Sequence, residues 1–305
     1  MENKYLLVTP CRNEQDYARR TLESVVSQTT TPALWVIVDD GSTDATPDIL
    51  AEYAAKYDYI KIVKRADRGV RKVGPGVIEA FYEGLATVNL DDFEFICKFD
   101  LDLEMPPRYF EVLIERMRAE PRLGTCSGKP YYPDPVTGDL ISEMCGDEMS
   151  VGMTKFYRTS CFKEIGGFVR EVMWDGIDCH TCRMKGWLAM SWDEPEIRFL
   201  HLRAMGSSHK SIYTGRQRHG FGQYFMGTSF IYMLASALFR MTRPPLISGG
   251  AAMLWGYITS ALSNKERYDN PEFVTFLRQY QWACLLKGKR RATAELNANI
   301  VASYR

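Results

Sequence analysis

Short apolar runs alternate with helix-patterned stretches along the first part of the chain. Residues 4–10, 34–38, 59–63 and 95–99 are rich in Leu, Val, Ile and aromatic residues, end at proline or polar residues, and read as buried strands. Between them apolar positions recur at helical spacing: Leu22, Val25 and Val26, then Ile49, Leu50 and Tyr53, then Ile78, Ala80, Phe81 and Leu85. Thr43 or Asp44 is placed to cap the second of these helices. Alternation up to about residue 118 predicts βαβ units and a mainly parallel sheet. Ligands of such sheets bind at the carboxyl ends of the strands. The acidic residues fall there: Glu14 after the first strand, Asp39 and Asp40 after the second, Asp100 and Asp102 after the fourth. The fourth strand delivers Asp100 and Asp102 to a sheet edge, where i and i+2 share a face and converge on one cation or its bound phosphate, before Pro106 and Pro107 open a helix; the alternative for the pair is a solvated strand-end turn.

Downstream, residues 156–158 read as a strand and Ile165-Gly166-Gly167-Phe168 as a helix end with glycine caps. Asp178 is expected to begin a helix running through Arg183, and residues 188–192 and 197–203 read as strands. Beyond residue 222 two apolar stretches, 230–239 and 246–262, flank Arg240, Arg243, Pro244 and Pro245; each is short for a bilayer span of about 20 residues. With Trp255 and Tyr257 in the second, they suggest an element lying in or re-entering a membrane interface. The alternative is a helical hairpin packed on the rest of the chain or used for homo-oligomerisation. Residues 272–289 form a basic amphipathic helix whose Lys287, Lys289, Arg290 and Arg291 suit anionic lipid.

Composition narrows the choices. Lys and Arg balance Asp and Glu at 38 each, which removes any bulk-charge case for nucleic acid. The first residues enter a strand without a basic-then-apolar leader, and the eight cysteines are scattered. Both fit a reduced cytoplasmic setting without a secretory signal. Cys179-His180-Thr181-Cys182 has no second Cys/His pair at zinc spacing and reads as helix cysteines. No G-x-G-x-x-G follows the first strand, so a dinucleotide-binding dehydrogenase is disfavoured.

Thr9-Pro10-Cys11-Arg12-Asn13-Glu14, Val38-Asp39-Asp40-Gly41-Ser42-Thr43-Asp44 and Asp100-Leu101-Asp102 together resemble the opening, second and DxD motifs of family 2 glycosyltransferases, over residues 4–186 at least. The resemblance implies an inverting enzyme of the GT-A fold: a Rossmann-like α/β domain with a mainly parallel central sheet flanked by helices, here residues 1–220. Residues 221–305 would be a helical, membrane-associating appendix. It further implies that Pro10, Arg12, Glu14, Asp39, Asp40 and Asp100 line a nucleotide-sugar, with Arg68 and Lys72 of the basic loop facing its diphosphate. A divalent cation, Mn2+ or Mg2+, would sit on Asp102 and Asp100, with His201 or His209 able to complete its shell. Asp178, or else Asp175, would be the general base, although the glutamate that precedes the family's aspartate is missing here. Arg216, Arg218 and His219 form a cationic cluster suited to a leaving diphosphate or an acceptor phosphate. The expected partners are a nucleotide-sugar donor, a lipid-linked glycan acceptor and the cytoplasmic face of a bacterial inner membrane. Transfer to a polyprenyl phosphate and a non-catalytic nucleotide-sugar or glycan-binding scaffold are the competing readings. A processive synthase is disfavoured, since long spans are absent and residues 217–220 match Gln-x-x-Arg-Trp only loosely.

Overall fold

The apolar runs fold as strands β1 (Tyr5–Cys11), β2 (Leu34–Asp39), β3 (Ile60–Lys64) and β4 (Phe95–Phe99), linked through helices α1 (Ala18–Val26), α2 (Thr46–Lys56) and α3 (Pro75–Leu85). The computed structural model describes residues 4–67, 74–134, 136–203 and 211–304. Two compact units emerge, one of Met1–Arg170 with Trp187–Ala204, the other of Glu171–Gly186 with Met205–Arg305. Residues 171–186 and 211–220 belong to the second unit.

The first unit continues through β5 (Leu103–Glu104), α4 (Tyr109–Ala119), β6 (Leu123–Ser127), β7 (Pro130–Pro133), β8 (Leu140–Ser142), β9 (Thr154–Arg158) and α5 (Thr159–Glu164), and closes with β10 (Leu188–Ser191) and β11 (Phe199–His201). Its main sheet has the order β10-β6-β9-β4-β1-β2-β3, and a smaller sheet runs β5-β11-β7-β8. β1 to β4 pair in parallel, whereas β9 is antiparallel to both β4 and β6. All seven residues of β1 are buried, as a central strand covered on both faces requires. Aromatic packing fills the core: Tyr5 stacks on Phe110 with centroids 5.0 Å apart, and Phe95 on Phe156 at 5.3 Å. The Trp35 indole N–H donates to Thr9 Oγ1 at 2.9 Å, which satisfies the polar end of a fully buried ring. After α5, Gly166 and Gly167 take φ of 77° and 74° and return hydrogen bonds to Lys163 and Phe162, the glycine cap expected there.

The second unit is helical: α6 (Trp174–Met184), α7 (Ile212–Phe225), α8 (Phe230–Met241), α9 (Ser248–Leu262), α10 (Pro271–Lys287) and α11 (Lys289–Tyr304). Among the described residues no helix is long and apolar enough to cross a membrane. α7 and α9 approach through glycines. A Cβ on Gly220 would lie 1.9 Å from the Met253 carbonyl oxygen, and one on Gly256 2.1 Å from that of Gln217. These obstacles are backbone atoms and cannot swing aside. Gly256→Val is therefore expected to destabilise the second unit by about 2–3 kcal/mol, read as a lowered midpoint in thermal denaturation; an unchanged midpoint contradicts the tight crossing.

Candidate functional site

Parallel pairing of β1 with β2 on one side and β4 on the other brings three strand ends to one edge of the first unit, with Cys11 opposite Asp39. The loops that leave this edge brace one another. Beyond the buried Pro10, the Arg12 guanidinium donates to the Asp40 carbonyl oxygen at 2.7 Å and pairs with Asp67 at 2.6 Å. Asn13 takes φ of 53°, which asparagine tolerates better than most residues. Its N–H donates to Ser42 Oγ at 2.9 Å while its side-chain oxygen accepts from the Thr43 N–H at 2.8 Å. The Glu14 N–H donates to Thr46 Oγ1 at 2.8 Å. Asp39 accepts from the Ser42 N–H at 2.9 Å, and the Asp40 carboxylate pairs with Arg65 at 2.7 Å. Asp44 accepts from the Thr46 N–H at 2.9 Å, at the start of α2. Gly41 has φ of 72°, and a Cβ there would stand 2.5 Å from Asp67 Cα.

Asp100 and Asp102 correct one expectation. β4 ends at Phe99 and the chain turns at Leu101 and Asp102, so strand alternation does not aim the pair. Thr21 of α1 shapes that turn: its hydroxyl donates to the Leu101 carbonyl at 2.8 Å and accepts from the Leu103 N–H at 3.1 Å. Asp100 pairs with the buried Lys98, whose ammonium also donates to the Gly152 carbonyl at 2.9 Å. Asp102 instead accepts from Arg203 at 2.7 Å and faces His201 Nε2 at 3.6 Å. Arg203 also reaches Glu14 at 3.0 Å, and His201 Nδ1 meets Glu143 at 3.0 Å. Glu14, Arg203, Asp102, His201 and Glu143 thus form one chain of alternating charge.

Burial by itself would lower the His201 pKa, but hydrogen bonds with Asp102 and Glu143 and their negative charge raise it to about 9. Burial would likewise raise that of Asp102, and the His201 and Arg203 partners draw it down to about 2. Asp100 titrates above the usual carboxylate range, because burial and the Asp102 charge outweigh Lys98. Glu143 and Arg203 were not among the sequence candidates: Arg203 is 189 positions from Glu14, and no local pattern marks either residue.

The donor set suits the cation that the motifs imply. Glu143 holds Nδ1 of His201 and Nε2 faces Asp102; with its pKa raised to about 9 the ring is protonated here, so Nε2 becomes a ligand only when an incoming cation displaces that proton. Among the described residues no group of three or more such ligands is already gathered, since Asp100 is engaged by Lys98. Arg68, Lys72 and His209, also candidates, lie outside the described residues.

In the second unit α6 starts at Trp174, four residues before the expected Asp178. Asp175 therefore occupies the first turn, where the helix dipole favours an ionised carboxylate, while Asp178 stands in the second turn at 2% exposure. The charge of Asp175 acts on Arg218 and His219 of α7. Burial first, then Arg216, lowers the His219 pKa to about 4, so this residue enters as a neutral imidazole. Its folded pKa lies below the unfolded value of about 6.5, so the unfolded state binds more protons between these limits and stability falls as pH drops through them. His219→Gln is expected to remove about 2 kcal/mol of that acid sensitivity, measured as denaturation midpoints from pH 7 to pH 4; identical profiles contradict the assignment.

Comparison with known proteins agrees with the edge just described. The family described as Glycosyl transferase family 2 matches residues 6–174. EpsH of Bacillus subtilis (strain 168), a protein that carries a glycosyltransferase name, is 31% identical over 169 residues, 55% of this chain and 45% of its own. A poly-beta-1,6-N-acetyl-D-glucosamine synthase of Staphylococcus epidermidis is 27% identical over 121 residues, 39% of this chain and 27% of its own. The chain spans less than half the length of these curated relatives. Among solved structures, the mannosyltransferase PcManGT from Pyrobaculum calidifontis in complex with GDP-Man and Mn2+ superposes with TM-score 0.54 at 17% identity, covering 100% of this chain and 86% of that one. S. aureus TarS 1-349 in complex with UDP-GlcNAc gives TM-score 0.53 at 16% identity, covering 99% and 91%. At such identities the likeness is one of fold, of the GT-A type. The family match extends over more than half of the 305 residues and takes in every strand-end motif, so the chain belongs to glycosyl transferase family 2.

Proposed function

We propose that this chain is an inverting glycosyltransferase that moves a sugar from a nucleotide-sugar to an acceptor hydroxyl, the acceptor being a lipid-linked glycan of bacterial surface-polysaccharide assembly at the cytoplasmic face of the inner membrane. One observation carries the reading: Glu14, Asp39, Asp40 and Asp102 gather at the carboxyl edge of a parallel sheet, where Asp102 stands between an arginine and a histidine. The names of the relatives and the sugar nucleotides of the solved neighbours support it. Asp39 and Asp40 accept from base N–H or ribose hydroxyl groups. Asp102 and His201, joined by Asp100 once it parts from Lys98, would hold the divalent cation. When bound, that cation neutralises the charge that builds on the leaving diphosphate. Arg203, paired with Glu14 and Asp102, would supply a guanidinium to the same phosphates. Asp175 takes the proton from the acceptor hydroxyl, and Arg216 and Arg218 receive phosphate oxygens.

The test is turnover of UDP- and GDP-sugars with Mn2+ against lipid-linked and soluble acceptors, with the product anomer read by NMR. An inverted linkage is expected. A retained linkage contradicts the mechanism, and absence of turnover across the panel despite nucleotide binding favours a non-catalytic scaffold.

A further inference from the structure

From Phe221 to Asn264 the sequence contains no acidic residue, and its only charged side chains are Arg240 and Arg243. In α8, Met233 and Ala237 are buried, yet Ile231, Leu234 and Leu238 on another face are 54%, 37% and 55% exposed. Phe239 at 62%, the inter-helix residues Leu246 and Ile247, and Trp255 of α9 at 60% are exposed as well. A helix apolar on both its packed and its open face has more apolar surface than its own unit covers. The cations lie at the end of α8. Arg243 stacks over Phe239 at 4.7 Å, and Arg240 donates to the Pro244 carbonyl at 2.7 Å while its Nε is buried without a partner. Burial, and after it the charge of Arg240, lowers the pKa of Arg216; burial and then Arg243 does the same to Arg240. These arginines are therefore close enough to repel one another, a cost that an incoming anion would offset.

We propose that the α8–α9 face docks on an anionic bilayer, its exposed apolar side chains entering the interface while Arg240 and Arg243 receive lipid headgroup phosphates. The absence of acids and the cations at one edge of an apolar face supply charge complementarity to such a surface. Among the described residues no helix is long and apolar enough to span, so docking of this kind is interfacial. This deepens the membrane reading above, and its test needs neither donor nor acceptor.

The full chain is sedimented with vesicles of phosphatidylglycerol or of phosphatidylcholine. Partition is expected to favour phosphatidylglycerol, to weaken with salt, to fall about 30-fold in Arg240→Gln/Arg243→Gln, and to fall also in Leu238→Ser/Trp255→Ser. Thermal denaturation and nucleotide binding, unchanged in both variants, would separate loss of docking from loss of folding. Equal partition into both vesicles, or none into phosphatidylglycerol, overturns the proposal. So does a concentration-dependent dimer that Leu238→Ser/Trp255→Ser dissolves without vesicle binding, which would assign the face to a second copy. Docking without sugar transfer would contradict the glycosyltransferase reading alone, and transfer to a soluble acceptor without docking would contradict this proposal alone.

Discussion

Asp102→Asn is expected to lower sugar transfer by about 1,000-fold while the protein stays folded. Asparagine keeps the shape of the side chain but loses the charge that faces Arg203 and His201. Removing a preorganised charge from a water-poor site costs about 100- to 1,000-fold in rate, and here the same carboxylate also holds the cation. Folding suffers less than for an ordinary buried ion pair, where about 3–5 kcal/mol is lost, because Arg203 keeps Glu14 and His201 keeps Glu143. The variant should melt only a few degrees lower. Measured kcat within tenfold of the wild type would remove Asp102 from the chemistry, and an unfolded variant would show that the charge chain is chiefly structural.

The second large effect separates the two candidate bases. Asp175→Asn should reduce kcat by about 100- to 10,000-fold, the span of a lost general base, with little change in nucleotide affinity. Asp178→Asn should mainly lower thermal stability, because this side chain is buried in the second turn and no solvent-borne hydroxyl reaches it without local opening. The reverse pattern would return the role to Asp178. Transfer that survives both substitutions would point to an acceptor that is already an oxyanion, such as a polyprenyl phosphate.

The features legible in the sequence are those that depend on near neighbours. β1, β2 and β4 are continuous apolar runs because both faces of a central parallel strand are covered, and the acidic clusters mark their carboxyl ends. Gly166 and Gly167 likewise marked a helix end that only positive φ completes. At Asp100–Asp102 the aspartates themselves allow a turn as readily as a strand, and what decides it is Thr21, 80 positions from Leu101 in sequence. The start of α6 was misplaced for a related reason. Asp178 has the chemistry of an N-cap, but the helix begins after Met173, whose φ of 63° is a tertiary choice and whose side chain caps nothing. The charge chain joins His201 of β11 to Glu14, Asp102, Glu143 and Arg203 in the segments that follow β1, β4, β8 and β11, and only the folded sheets bring them together.

The central claim is that the carboxyl edge of the main sheet is a cation-dependent nucleotide-sugar site. Isothermal titration of UDP, GDP and their sugars, with and without Mn2+, addresses it most directly. Saturable binding of at least one nucleotide is expected, strengthened by Mn2+, and that strengthening should vanish in Asp102→Asn. No binding by any of them, or binding whose Mn2+ response is the same in Asp102→Asn as in the wild type, would contradict the account.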